Sequence, residues 1–198
     1  MARTIARDHD EKRAQILKSA ARVFATQGFD RASMSELARD CGISKANIYH
    51  YYDSKDAILY DILETHLRGL RDRICGLDLA GLSPEAQLRV TLREYLLAYK
   101  GADNEHRVQV NGVDRLPPAE REILLDYQRD MVRHLAAILG ALAPPALAGD
   151  TARLRAATMS VFGMLNWHYM WNSGAGTQAR ADHADLMADL TLKGLPGL

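Results

Sequence analysis

Ser33-Met34-Ser35-Glu36-Leu37-Ala38-Arg39-Asp40-Cys41-Gly42-Ile43-Ser44-Lys45-Ala46-Asn47-Ile48-Tyr49-His50-Tyr51 carries two helix starts with one glycine between them. Ser33 and Glu36 fit a capping box, in which a hydroxyl and the carboxylate three residues on satisfy reciprocal backbone donors. The helix opened there is short and ends at Gly42, a residue free to take positive φ in the turn. Ser44 then caps a third helix, Lys45 to about Tyr51. Leu37 and Ala38 before the glycine, Ile43 after it and Ile48 six residues beyond it have helix-turn-helix spacing. Ala38 lets the helices cross closely, and Leu37, Ile43 and Ile48 bury the hinge. Lys45, Ala46, Asn47, Tyr49, His50 and Tyr51 are left to project outward. They offer hydrogen-bond donors, rings for sugar-phosphate and one small side chain for close approach, which suits major-groove work.

The flanking sequence is helical too. Ile16, Ala20, Val23 and Phe24 recur on one face of a first helix, about Asp10 to Thr26, which Gly28 ends. Asp53-Ser54 starts a long fourth helix, Lys55 to near Ile74, where Lys55 can reach a phosphate and Tyr52 packs. Arg3 and Arg7 are placed either as a basic arm on DNA or as a solvated terminus.

These residues carry a resemblance. Gly28-Phe29, Ser33 to Ala38, Cys41 to Lys45 and Ile48 to Lys55 together resemble the TetR family of repressors over the first third of the chain. The resemblance implies a homodimer that places two recognition helices on a palindromic double-stranded operator and usually represses until a ligand binds the C-terminal domain. Carried over by position, it gives Ser35, Lys45, Asn47, Tyr49, His50, Tyr51 and Lys55 as DNA contacts; Ser44 and Ala46 complete the candidate set. Cys41 departs from the family, where alanine is commoner, and is expected as a small buried residue.

After Gly76, Gly81 and Ser83-Pro84 a new helix starts, with Leu88, Leu92, Tyr95, Leu96 and Tyr99 as its stripe. A shorter one follows near Glu105 to Val113. A long one carries Leu124, Tyr127, Met131, Leu135, Ile138 and Leu142 and stops before Pro144-Pro145. Thr151 to Trp171 is apolar almost all round, and a last helix runs from about Arg180 to Lys193. The expectation is an all-α fold of about nine helices, with a DNA-binding domain over residues 1–54 and a ligand-binding and dimerisation domain over 55–198. Val161, Leu165, His183, Leu186, Met187 and Leu190 are the candidate dimer interface, a four-helix arrangement. The candidate ligand pocket takes Tyr95, Tyr99, Arg107, Asn111, Tyr127, Met131, His134, Met164, Trp167 and Trp171, each of which also suits plain core packing. Phe162 to Trp167 with Trp171 resembles, less specifically, relatives that control fatty-acid, aromatic-acid or steroid catabolism. That likeness implies an acyl-CoA or aromatic-acid CoA thioester as effector.

Composition bounds the rest. Apolar residues are 47% and charged residues 25% of the 198, a globular balance. No apolar run spans a bilayer and the start has no secretory signal, so a cytoplasmic protein away from membranes is expected. Twenty-five basic residues match 25 acidic ones, which argues against a strong basic footprint; residues 1–73 hold 13 against 11, a mild asymmetry. Cys41 and Cys75 lack partners at metal-ligand spacing, and neither metal nor cofactor is expected. The sequence has no P-loop, no Gly-x-Ser-x-Gly and no His-Glu-x-x-His. Gly174 to Ala179 meets a loose dinucleotide pattern but lacks the preceding strand, so an enzyme is not expected. A helical adaptor that binds only protein is the remaining alternative.

Overall fold

The computed structural model describes residues 2–172 and 174–197, with residues 2–6 and 8 described by backbone alone; the side chain of Arg3, expected in the basic arm, lies outside it. The described residues form ten α-helices and no strand: α1 (Ala2–Gln27), α2 (Met34–Asp40), α3 (Lys45–Tyr49), α4 (Lys55–Cys75), α5 (Pro84–Ala98), α6 (Asp103–Gly112), α7 (Pro118–Leu142), α8 (Pro145–Ala148), α9 (Thr151–Trp171) and α10 (Thr177–Gly194). The all-α reading stands. The additional helix is the single turn α8, where Pro145 occupies the first helical position that its fixed φ and missing N–H suit. α1 begins upstream of the expected Asp10, with Arg7 bonded to Glu11 at 2.8 Å, so Arg7 belongs to a helix rather than to an extended arm.

The starts obey local chemistry. Ser33 Oγ accepts from the Glu36 N–H at 3.3 Å, Ser44 Oγ from Asn47 at 3.0 Å and Asp150 Oδ1 from Arg153 at 2.9 Å. Gly42 joins α2 to α3 at φ +66°.

Two units are present. The first comprises the chain up to Leu67 with Asn104–Leu124. Its core is the α1 stripe Ile16, Ala20, Val23 and Phe24, with Leu37 and Ala38 of α2, Ile48 of α3 and Ile58, Leu59, Ile62 and Leu63 of α4, all buried. Polar ties fix the helices around it. Asp40 accepts from Ser19 and from Arg22, the latter at 2.7 Å, and the Ser19 hydrogen bond holds its carboxyl below the usual range. Asp61, buried on α4, accepts from Arg13 at 2.5 Å and from the Tyr52 hydroxyl, which explains why Tyr52 packs rather than projects. A Cβ on Gly112 would lie 3.1 Å from Leu63 Cδ1 and 3.2 Å from Leu59 Cδ1, so α6 meets α4 at its glycine.

The same unit holds His66 on α4, its Nε2 buried without a hydrogen-bond partner and its ring 6.3 Å from that of His106. Burial lowers its pKa to about 4. The native state therefore favours neutral imidazole, and the stability this confers is complete above the unfolded pKa near 6.5 and is lost as pH falls toward 4. Urea unfolding is expected to show a loss on the order of 2 kcal/mol between pH 7 and 5, at 1.36 kcal/mol per pKa unit. His66→Leu should make that dependence shallower, with His168, lowered to about 4 by burial, keeping part of it; an unchanged pH profile in the variant would remove His66 as a cause.

The second unit comprises Arg68–Asp103 and Leu125–Leu198. α5 and α10 pack along each other, burying Leu88, Leu92, Tyr95 and Leu96 with Ala184, Met187 and Ala188. Arg89–Asp189 and Arg93–Asp185 bridge these helices at 2.5 and 2.7 Å, half-exposed pairs that set register more than they stabilise. Arg180, only 1% exposed, bonds Asp103 at 3.1 Å.

Candidate nucleic-acid interface

The recognition segment is anchored from below and open above. Ile48 is fully buried, the half-buried Asn47 lends its backbone N–H to the Ser44 cap, and Ser44, Lys45, Ala46, Tyr49 and His50 are exposed. Ser35, the second residue of α2, is exposed as well. The first unit therefore offers a row of small, amide, ammonium and phenol groups; Asp40 ties the preceding α2 to α1, and Asp61 of α4 holds Tyr52 just after α3.

Two expected members are placed differently. Tyr51 is half-buried, and its ring stacks on His9 of α1 with centroids 4.8 Å apart. His9 is thus a neighbour of the candidate surface that nothing in the sequence singled out. Lys55 does not extend freely: Nζ donates to the carbonyls of Phe29 at 3.0 Å and of Asp30 and Ala32 at 3.3 Å, and it lies 4.5 Å from the Phe29 ring centroid. An ammonium has three donors, and three carbonyls meet them. Lys55 in this structure is a clasp on the loop before α2. Lys55→Met is expected to cost about 2 kcal/mol in chemical denaturation, the range for hydrogen bonds to a charged group. A change below about 0.5 kcal/mol would mean that the clasp adds nothing beyond a surface contact.

Cys41 is buried, and burial pushes its thiol pKa up, away from a reactive thiolate.

The expected ligand residues are shared between the two units. Tyr95 and Tyr99 are buried in the second unit, where Tyr95 meets Phe162 edge-on and the Tyr99 hydroxyl donates to Asn166 at 2.9 Å. Met131 is buried there, His134 and Met164 are half-buried, and Tyr127 lies under Arg71 at 4.9 Å. Arg107 and Asn111 belong to the first unit and line a cavity there. Trp167 and Trp171 are 62% and 59% exposed, so they do not close a pocket within the chain.

The expected dimer residues divide similarly. Val161, Leu165 and Met187 point into the second unit's own core, and His183 is half-buried and stacked on His168 at 4.8 Å. The periodicity of an all-round apolar helix cannot say which side is covered from within. Leu186 and Leu190 remain outside, joined there by Met159, Trp167, Met170 and Trp171.

A buried hydrophobic hinge, capped short helices and an exposed polar recognition face define a helix-turn-helix DNA-binding regulator. Family comparison agrees with that class. Residues 16–62 match the model of bacterial regulatory proteins of the tetR family, and residues 81–195 match that of the tetracyclin repressor-like C-terminal domain. A TetR-family transcriptional regulator from Bordetella parapertussis is 32% identical, with 94% of this chain and 96% of that one superposed at a TM-score of 0.85. The chain belongs to the TetR family of transcriptional regulators. An uncharacterized HTH-type transcriptional regulator of Bacillus subtilis, YerO, is 34% identical over 82 residues, which take in 40% of this chain and 28% of that protein. The chain therefore spans under a third of YerO's length. AibR, solved in complex with isovaleryl coenzyme A and operator DNA, shares the fold at a TM-score of 0.74 and 22% identity, over 91% of this chain and 98% of that one.

Proposed function

We propose that this regulator binds a palindromic operator as a homodimer, represses transcription in the cytoplasm without catalysing a reaction, and leaves DNA when a small hydrophobic or acyl-CoA-type effector binds the second unit. The observation that carries the reading is the exposed polar face of α3 over a fully buried Ile48. Lys45 contacts phosphate, Asn47 and Tyr49 read base edges, and Ser35, Ser44, Ala46 and His50 complete the close approach. Tyr51, braced by His9, lies at the margin of this surface.

Dimerisation is supported by Leu186, Leu190, Trp167 and Trp171, each more than half exposed. A lone soluble chain rarely leaves so many large apolar groups in water. The effector reading is supported by Thr91 Oγ1 and the Tyr95 hydroxyl, which are one helical turn apart on α5 and buried without hydrogen-bond partners. Buried polar groups of that kind are ready acceptors and donors for a bound molecule.

The test is a gel-shift titration on DNA upstream of the chain's own gene, with salt varied and acyl-CoA thioesters added. Asn47→Ala is expected to weaken selective binding about 10- to 100-fold, the worth of one bidentate base contact, with thermal stability unchanged. Wild-type affinity in that variant would refute the contact assignment. Release by a thioester would support the effector class, and release by none would overturn it.

A further inference from the structure

α1 reaches past the core of its own unit. Ile16 is the first described side chain of the helix to be buried, and of residues 9–15 only Lys12 is even half-buried. That overhang meets the exit of α3 at two rungs. Arg13 donates to Asp61 at 2.5 Å, and Asp61 also takes the Tyr52 hydroxyl. One turn toward the start of α1, the His9 ring stacks on Tyr51, with centroids 4.8 Å apart and planes 25° from parallel. His9 Nδ1 stands 3.8 Å from Asp10 Oδ1, so that carboxylate lies at the edge of the imidazole and the face is given to the tyrosine. The Tyr51 and Tyr52 N–H groups donate to the carbonyl of the buried Ile48 at 3.1 and 3.0 Å, which fixes the backbone of the turn. These bonds leave the Tyr51 χ angles open, and the imidazole face selects among them.

We propose that His9 is a positioning residue for DNA binding: its face holds the Tyr51 ring so that the phenol hydroxyl donates to a backbone phosphate beside the groove that α3 enters. The inference rests on the operator-face reading above. A phenol on phosphate sets orientation and register without reading sequence. A ring pair of this kind biases an orientation about three- to tenfold. Apparent affinity falls with the fraction of chains whose ring is correctly placed, so loss of the stack is read directly in DNA binding.

The experiment is fluorescence anisotropy of the full chain on a labelled duplex that the wild type selects from genomic fragments, with salt varied. His9→Ala is expected to bind about three- to tenfold more weakly at every salt concentration, with the slope of log affinity on log salt unchanged. His9→Phe, which keeps a ring face, should bind as wild type. In a Tyr51→Phe background the hydroxyl is gone, and His9→Ala should change nothing further. His9 is exposed, so circular dichroism and the thermal midpoint should not move. A salt slope shallower by about one in His9→Ala would put His9 itself on a phosphate and overturn the positioning role. Additive losses in the double variant would overturn it too. Wild-type affinity in His9→Ala beside weakened binding in Asn47→Ala would sink this inference alone; wild-type affinity in both would sink the operator-face reading and this inference with it.

Discussion

Glutamates at both Leu186 and Leu190 are expected to turn a dimer into a folded monomer and to weaken operator binding at least about 100-fold, near 2.8 kcal/mol at the tenfold-per-1.4 conversion. The two side chains are 54% and 56% exposed on α10, so charges there meet water in the monomer and leave its core intact. In the assembly they would be buried without partners, a cost no exposed substitution carries. On α9 the same face holds Met159, Trp167 and Trp171, with Gly163 between them offering no side chain, which lets another helix approach. Sedimentation velocity at micromolar concentration checks the state, and circular dichroism checks the fold. A double variant that stays dimeric would place the interface elsewhere.

Arg180→Leu is expected to destabilise the chain by about 3–5 kcal/mol, the cost of breaking a buried ion pair from one side. The guanidinium is almost wholly buried and donates from Nε to the Ala175 carbonyl at 3.0 Å, from Nη1 to that of Leu96 at 3.4 Å and from Nη2 to Asp103 at 3.1 Å. Asp103 also accepts the Gly174 N–H at 3.0 Å. One side chain on α10 thus joins the end of α5, the loop between α9 and α10, and Asp103. Leucine would leave the Asp103 carboxylate without its counter-charge and two carbonyls without this donor. Adding Asp103→Asn should recover part of the loss, because the stranded charge goes with it. Urea unfolding of the single and double variants measures both; a single-variant loss below about 1 kcal/mol would make the pair a surface contact.

The helix-turn-helix was legible because its signals are local: serines at caps, a glycine at the turn, and apolar residues at fixed spacing around it. Tertiary polar ties were not. Asp61 stands between Ile58 and Ile62 on α4, an acid in an apolar stripe, and only the fold brings it Arg13 and Tyr52. Lys55 was expected at a phosphate, and its sequence position says nothing of the three carbonyls that turn toward it. α9 read as apolar on every side, and periodicity gave no means to tell Val161 and Leu165, covered from within, from Trp167 and Trp171, left outside. Arg107 was expected at a ligand and Arg180 only as the start of a helix; Arg107 lines a cavity and Arg180 is locked inside.

Nuclease footprinting of the chain on genomic fragments it selects tests the central claim most directly. The account predicts two protected half-sites related by a dyad and about one helical turn apart, as two symmetric recognition helices require, with protection lost in Asn47→Ala. No selected fragment, or protection without symmetry that Asn47→Ala leaves intact, would contradict it and bring forward a helical adaptor that binds protein alone.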